Sequence, residues 1–217
     1  MPVIVLLGAP GAGKGTQAPI VSACLGVPIL ASGDLLRAEV ASNSDIGREV
    51  DEIMRAGDLV PDSTMARLFL GRLSRPDAAN GALLDGYPRT RAQAEALDDA
   101  LRQSGSKVDR AILIEVPIEE LVGRFAGRLV CGSGGHVYNE RTNPPRTPGV
   151  CDIDGTELKH RADDDETTVR ARMEQQLGPL SEVAEHYRAR DILTPIDGTF
   201  SIGAVAAALL TAVRQQA

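Results

Sequence analysis

A glycine-rich loop between an apolar run and a helical stretch constrains the fold of this chain more than any other feature. Val3–Leu7 is predicted as a buried strand, and it is followed by Gly8-Ala9-Pro10-Gly11-Ala12-Gly13-Lys14-Gly15-Thr16 and a helix over Lys14–Leu25. Glycines let backbone N–H groups converge on an anion, the helix N-terminus adds a positive dipole end, and the lysine reaches the outer phosphates. The segment therefore predicts a nucleotide triphosphate site. The residues expected to bind the phosphates are Gly11, Ala12, Gly13, Lys14, Gly15 and Thr16.

The rest of the chain alternates short apolar runs with longer amphipathic ones, which is typical of βαβ units and a mostly parallel sheet. Further strands are predicted over Val27–Leu30, Ala82–Asp85, Ala111–Val116 and Ile192–Ile196. Further helices are predicted over Thr90–Gln103, Ile118–Ala126, Thr167–Arg190 and Ile202–Arg214. The predicted fold class is α/β, a P-loop NTPase-type core whose five-stranded parallel sheet is flanked by helices. Ligands of such sheets bind at the carboxyl ends of the strands.

Two stretches break this alternation and are predicted to be insertions into the core. Residues 31–60 are polar and helical without a strand of their own, and residues 127–164 are rich in Gly, Pro and Thr. The second stretch is too long for an idle loop, since segments of that length are usually functional or disordered. The chain is therefore divided into a core (1–30, 61–126 and 165–217) and two inserted domains (31–60 and 127–164).

Charge and cysteine content exclude several classes of protein. The formal net charge is −7, from 23 basic and 30 acidic side chains, whereas a nucleic-acid or membrane-surface binder would be basic. Three cysteines are too few for a disulfide scaffold, and neither a secretory leader nor a membrane span is visible. We expect a cytoplasmic protein that binds no nucleic acid and no membrane.

The phosphate loop alone leaves the reaction open, because switch GTPases, motor ATPases and small-molecule kinases share it. Three further motifs occur in the order Ser32-Gly33-Asp34-Leu35-Leu36-Arg37, Asp85-Gly86-Tyr87-Pro88-Arg89-Thr90 and Arg161-Ala162-Asp163-Asp164. Together with the loop they resemble the adenylate kinases, in the long bacterial form with a full-size lid. The resemblance covers essentially the whole chain. It implies reversible transfer of the terminal phosphoryl group of Mg·ATP to AMP, giving two ADP, by a monomer that serves adenine nucleotide homeostasis.

The resemblance makes residues 31–60 the AMP-binding insertion. The residues it assigns to AMP are Ser32, Arg37, Asp58, Leu59, Val60, Gly86, Tyr87, Pro88, Arg89, Gln93, Arg161 and Arg172. Within this set Arg89 is expected to bind the AMP phosphate and Gln93 to read adenine. Ser32 stands where relatives commonly have Thr, and Tyr87 where they commonly have Phe. A second interpretation of Ser32 and Asp34 is that they cap a helix.

The resemblance makes residues 127–164 the lid. It assigns catalysis to Lys14, Asp85, Arg89, Arg124, Arg128, Arg161 and Arg172, and it adds Arg128, Val137, Tyr138 and Phe200 to the phosphate loop as ATP-binding residues. Asp85 is expected to help hold Mg²⁺ through water. Arg124 and Arg128 are four residues apart and would share one face of a helix, either towards a ligand or as a solvated stripe. The acceptor phosphate has a second pKa of about 6 and needs no general base.

The lid also contains a partial zinc motif. Some relatives place four zinc ligands at the positions of Cys131, Gly134, Cys151 and Asp154, but here the second position is glycine. Structural zinc sites have four ligands. We expect a reduced cysteine pair and no resident metal, with zinc, completed by His136 or water, as the alternative. Cys24 is predicted to be a small core residue.

Two other functions stay open at this point. One is a GTP-using or other nucleoside monophosphate kinase, although the long lid argues against the short-lid pyrimidine kinases and Gln93 favours adenine. The other is a nucleotide-binding switch protein that hydrolyses ATP slowly.

Overall fold

The structure is a computed structural model that describes residues 2–56, 60–132, 136–160 and 166–214, except for the side chains of 55–56, 166–169 and 171–172. In chain order its elements are β1 (Val3–Gly8), α1 (Lys14–Leu25), β2 (Ile29–Ala31), α2 (Ser32–Ala41), α3 (Asp45–Ala56), α4 (Asp62–Leu73), β3 (Ala82–Asp85), α5 (Arg91–Gln103), β4 (Arg110–Glu115), α6 (Ile118–Ala126), β5 (Arg128–Cys131), β6 (Val137–Asn139), β7 (Leu158–Lys159), α7 (Glu166–Arg188), β8 (Leu193–Asp197) and α8 (Ile202–Arg214).

The core is a five-stranded parallel sheet in the order β2-β3-β1-β4-β8. β1 is central, with Val5 opposite Leu84 of β3 and Ala111 of β4. Alternation along β1 sends Val5 into one buried cluster and Ile4 and Leu6 into the other, so helices cover both faces. The predicted α/β fold with a five-stranded parallel sheet is confirmed.

Most predicted elements occur within one or two residues of their predicted bounds, and three helices (α1, α6 and α8) have the predicted bounds. Helix α4 was not predicted. It begins after Pro61 and buries Met65, Leu68 and Phe69, and the Phe69 ring stacks on Tyr87 with centroids 4.0 Å apart. The helical prediction for this stretch is confirmed over α2 and α3, which residues 42–44 connect, whereas Ala31 ends β2.

The segment predicted as the lid contains a separate three-stranded antiparallel sheet in the order β6-β5-β7. Its own small core consists of Leu129, Cys131, Tyr138, Cys151 and Leu158. A self-contained core supports the idea of a separate unit, and the domain boundaries themselves remain a prediction.

Three local predictions are wrong. Cys24 is exposed, because it lies on the outer face of α1, where its Sγ is 3.2 Å from Arg214 Nη2. Ser32 is the first residue of α2 and makes no capping bond, since its hydroxyl is engaged elsewhere. Arg124 and Arg128 do not share a helix, because α6 ends at Ala126 and Arg128 begins β5. None of the helices in the described residues is long and apolar enough to cross a membrane.

Candidate functional site

A cavity of about 930 Å³ opens at the carboxyl ends of the core strands. Its walls are the phosphate loop after β1, the segment 85–90 after β3, the turn 198–203 after β8, and residues of α6 and the lid. The chain reverses at these strand ends, so residues far apart in sequence converge there, as expected for a parallel sheet.

The phosphate loop has the backbone that an anion nest requires. Gly11 and Gly13 have φ values of 80° and 102°, a region that side chains disfavour, and a Cβ at Gly11 would lie 2.9 Å from the Phe125 ring. The Lys14 ammonium donates to the carbonyls of Gly8 at 2.6 Å and Ala9 at 3.1 Å. Burial lowers the pKa of Lys14, and the charge of Asp85 opposes that shift. The loop therefore holds a poorly solvated cation at the cavity.

A second cationic group faces the same cavity beside β3. Arg89 donates from Nε to the Gly86 carbonyl at 2.8 Å and from Nη2 to the Ser32 hydroxyl at 3.0 Å. Gly86 has φ 74°, and a Cβ there would be 2.8 Å from Ser32 Oγ, so a side chain at Gly86 would disturb this contact. Burial raises the pKa of Asp85, while Lys14 and Arg89 lower it. Two cations and one carboxylate leave the site net positive, which suits a polyanionic ligand.

Arg124 connects three parts of the site. Its guanidinium donates to Glu120 at 2.6 Å, to the Gly198 carbonyl at 2.6 Å and more weakly to the Ala12 carbonyl at 3.4 Å. Arg128 lies with its guanidinium carbon 4.4 Å from the centre of the Phe125 ring. The two arginines therefore both reach the cavity, although they belong to different elements.

Most predicted ligand residues line the cavity. They are Gly11, Ala12, Gly13, Lys14, Gly15, Thr16, Ser32, Asp85, Gly86, Pro88, Arg89, Arg124, Arg128, Val137, Tyr138 and Phe200. The Tyr138 ring also belongs to the lid core, and its hydroxyl accepts from the backbone N–H of Asp152 at 2.8 Å.

Four predicted AMP contacts do not line it. Arg37 is exposed and paired with Asp34 at 2.5 Å, and Val60 packs on the core. Tyr87 and Gln93 are buried behind the cavity wall. Asp58, Leu59, Arg161 and the Arg172 side chain lie outside the described residues, as does Gly134.

Sequence reasoning missed three residues that hold the site together. Glu120 orients Arg124, and its position four residues before that arginine could have indicated the pair. Asn139 donates from Nδ2 to the Arg124 carbonyl at 2.7 Å and thereby ties β6 of the lid to α6. Asp62 contacts Gln93. No local signal reveals the last two, because their partners are distant in the chain.

The lid brings four ligand atoms together, which we call the lid ligand cluster: Cys131 Sγ, His136 Nδ1, Cys151 Sγ and a carboxylate oxygen of Asp154, all within 4.8 Å of one another. His136 Nδ1 is 3.2 Å from Cys131 Sγ, 3.4 Å from Cys151 Sγ and 3.3 Å from Asp154 Oδ2. Hydrogen bonds from the side chain and backbone of Thr156 lower the pKa of Asp154 and keep it ionised. His136, the residue that the alternative interpretation of the sequence named, thus supplies the fourth ligand atom of this cluster.

Comparison with known proteins agrees with this geometry. A family model described as "Adenylate kinase" matches residues 6–192. Among curated relatives, the chain is 44% identical to an adenylate kinase of Moorella thermoacetica over 95% of both chains. It is 42% identical to that of Streptomyces griseus over 97% of both, and 45% identical to that of Anaeromyxobacter dehalogenans over 90% of this chain and 92% of the relative. The motifs, the fold and these matches agree: the chain belongs to the adenylate kinase family.

Proposed function

We propose that the chain catalyses reversible transfer of the terminal phosphoryl group of Mg·ATP to AMP, giving two ADP, and so balances the adenine nucleotides. The observation that carries this proposal is one cavity with two phosphate-directed groups, Lys14 in its loop and Arg89 beside β3. A simple ATPase needs the first group and has no use for the second. The motif resemblance supports a cytoplasmic monomer with ATP, AMP and ADP as its ligands.

ATP is proposed to bind at the phosphate loop. The amides of residues 11–16 and Lys14 bind its outer phosphates, and Arg128, Val137, Tyr138 and Phe200 bind the rest of the nucleotide. Lys14 exchanges its two carbonyl partners for phosphate oxygens, which replaces neutral acceptors with charged ones. Val137 and Phe200 line the cavity and are 47% and 64% exposed, so a bound base would cover apolar surface on both.

AMP is proposed to bind beside β3. Arg89 is held by Gly86 and Ser32 with its guanidinium at the cavity, where it binds the AMP phosphate. Gln93 reads the base, and Arg37 leaves its exposed pair with Asp34 to join the phosphate. The remaining proposed AMP contacts are Asp58, Leu59, Val60, Tyr87, Pro88, Arg161 and Arg172.

The reaction is proposed to depend on positioning and charge. The acceptor is a phosphate oxygen that is mostly ionised at neutral pH, so the obstacle is the repulsion of two polyanions and not a proton transfer. Lys14, Arg89, Arg124, Arg128, Arg161 and Arg172 neutralise the charge that spreads over the equatorial oxygens. Closure of the lid over the cavity excludes water, which would otherwise accept the phosphoryl group.

Magnesium is proposed to bind with ATP. Asp85 at the end of β3 and the Thr16 hydroxyl after Lys14 both line the cavity, and carboxylate and hydroxyl oxygens suit this hard cation. Asp85 would hold it through water. The ion supplies further neutralisation of the phosphates.

We also propose that the lid ligand cluster holds Zn²⁺, the alternative that the sequence left open. Tetrahedral zinc with its usual bond lengths separates neighbouring ligand atoms by roughly 3.3–3.8 Å. The pairs through His136 Nδ1 span 3.2–3.4 Å and Cys131 Sγ lies 3.5 Å from Asp154 Oδ2, close to that range. The metal would cross-link the loops of the lid and stabilise its fold, since the hydrophobic core of the lid is small.

A coupled assay of ADP formation tests the reaction. With ATP alone we expect slow turnover, and with ATP plus AMP we expect strong stimulation. Replacing AMP by GMP, CMP or UMP, and ATP by GTP, tests the other kinases. ADP formation that AMP does not stimulate would favour the switch protein and end the kinase proposal.

A further inference from the structure

The amide of Gln93 is held at both ends by other parts of the protein. Gln93 is 4% exposed; its Oε1 accepts from the backbone N–H of Arg89 at 2.7 Å and its Nε2 donates to Asp62 Oδ1 at 2.6 Å. A carboxylate only accepts and a backbone N–H only donates. If the amide were reversed, its oxygen would face the Asp62 carboxylate and its NH₂ group would face the Arg89 N–H, and neither pair can form a hydrogen bond. The chemistry of the two partners fixes the orientation of this amide.

Asp62 is itself fixed on its second oxygen. Its Oδ2 accepts from the Thr90 hydroxyl at 2.9 Å, and the Thr90 Oγ1 accepts from the backbone N–H of Gln93 at 3.1 Å as the N-cap of α5. Asp62 stands at the start of α4, whereas Arg89, Thr90 and Gln93 follow β3. One exposed carboxylate thus joins the start of α4 to the segment that carries Arg89.

We propose that Asp62 is a positioning residue that makes the acceptor site select adenine. The inference rests on the proposed reading of AMP by Gln93. The bonds to Asp62 and Arg89 leave Gln93 with one further N–H on Nε2 and one further lone pair on Oε1. Adenine offers N1 as an acceptor and the N6 amino group as a donor, which match that amide. Hypoxanthine in IMP offers N1–H and O6, which oppose it on both atoms.

The consequence is a specific change in base preference. Without the Asp62 carboxylate, only the Arg89 backbone N–H still opposes the reversed amide of Gln93, so the orientation that suits IMP costs less free energy than in the parent protein. A hydrogen bond to a charged group typically changes an equilibrium by about tenfold or more. The ratio of kcat/KM for AMP to that for IMP should therefore fall roughly tenfold, while the KM for ATP stays the same.

The experiment measures kcat and KM for AMP, IMP and ATP in the full-length protein and in variants. Asp62→Ala removes the carboxylate, and Asp62→Ser keeps a polar group at the start of α4 without reaching Gln93. Asp62→Asn retains an acceptor oxygen for Nε2, since Thr90 can accept from its amide, and should restore most of the preference for AMP. Asp45→Ala is the matched control, because Asp45 opens α3 in the same way and is paired only with nearby Arg48 in the described structure.

The outcomes are separable. The inference is supported if the ratio of kcat/KM for AMP to that for IMP falls in Asp62→Ala and Asp62→Ser, recovers in Asp62→Asn and does not change in Asp45→Ala. A ratio unchanged in Asp62→Ala and Asp62→Ser, while Gln93→Leu abolishes the preference for AMP, overturns the role of Asp62 and leaves the reading of adenine by Gln93 intact. An unchanged ratio in Gln93→Leu as well overturns the proposed reading of adenine, and the inference with it.

Discussion

Lys14→Met separates the chemical role of the loop lysine from any structural one. The substitution keeps the length of the side chain and removes its charge. Lys14 donates to the Gly8 and Ala9 carbonyls, both of which border the cavity, so water can replace it there. What the variant loses is a positive charge at the proposed binding site for the phosphates of ATP.

The magnitude follows from the position of that charge. A unit charge about 4 Å from a phosphate oxygen, at an effective dielectric constant of about 20, contributes about 4 kcal/mol. If the contact tightens mainly as charge develops on the transferred group, kcat falls by roughly 10³-fold.

Lys14→Met should lose activity without losing thermal stability. Burial is the main cause that lowers the pKa of Lys14, so the folded protein holds this proton less tightly than the unfolded chain does. The charge of Lys14 therefore disfavours folding at any pH below the unfolded-state pKa; the penalty is complete below the folded-state pKa and fades as the pH rises from there towards the unfolded value. Removal of the charge should leave Tm unchanged or raise it.

The assay is initial-rate ADP formation with ATP and AMP, together with a thermal melt of both proteins at pH 7. We expect a large loss of kcat with no loss of Tm. A kcat within tenfold of the parent would show that the charge of Lys14 does not stabilise the reacting phosphates. A Tm several degrees lower would show that Lys14 acts through the fold.

Three further predictions concern other parts of the site. Gly86→Ala places a Cβ 2.8 Å from Ser32 Oγ at φ 74° and should raise the KM for AMP about tenfold or more. The control Gly71→Ala lies in open space on α4 and should slightly raise Tm. The same KM for AMP in both variants would contradict the packing argument. Burial raises the pKa of Asp85, so as the pH falls the apparent affinity for Mg²⁺ should begin to weaken at a higher pH than it would with an ordinary aspartate. Asp85→Asn should make this affinity less dependent on pH. A pH dependence that is the same in both proteins would show that Asp85 does not bind Mg²⁺. Elemental analysis of protein purified without added zinc or chelator should find about one zinc per chain. His136→Ala should lose the zinc and have a lower Tm. A parent protein without zinc, and a Tm that His136→Ala does not change, would support the reduced cysteine pair instead.

Local chemistry explains which parts of the fold and site were predictable. The loop before α1 needs only glycines, a lysine and a preceding apolar strand, all adjacent in the sequence, and α1 has its predicted bounds. The parallel sheet follows in the same way from alternating runs. Residues 85–89 could be placed at the cavity because they lie at the carboxyl end of a predicted strand.

The rest depends on contacts that only the fold creates. Arg89 meets the Ser32 hydroxyl across 57 positions of sequence, and Asp62 meets Gln93 across 31. Spacing could not show that α6 ends before Arg128, and it left open whether His136 or water stands beside Cys131, Cys151 and Asp154. Helix α4 was missed because its buried side chains pack against Tyr87 and its neighbours from another part of the chain.

The most direct test of the central claim is to follow the terminal phosphoryl group of ATP itself. The claim is that ATP and AMP occupy one cavity together, so that the group passes between them without meeting water. With ATP labelled on its terminal phosphate, we predict that in the presence of AMP the label appears in ADP and not in inorganic phosphate. Release of the label as inorganic phosphate, at a rate that AMP does not change, would contradict the account.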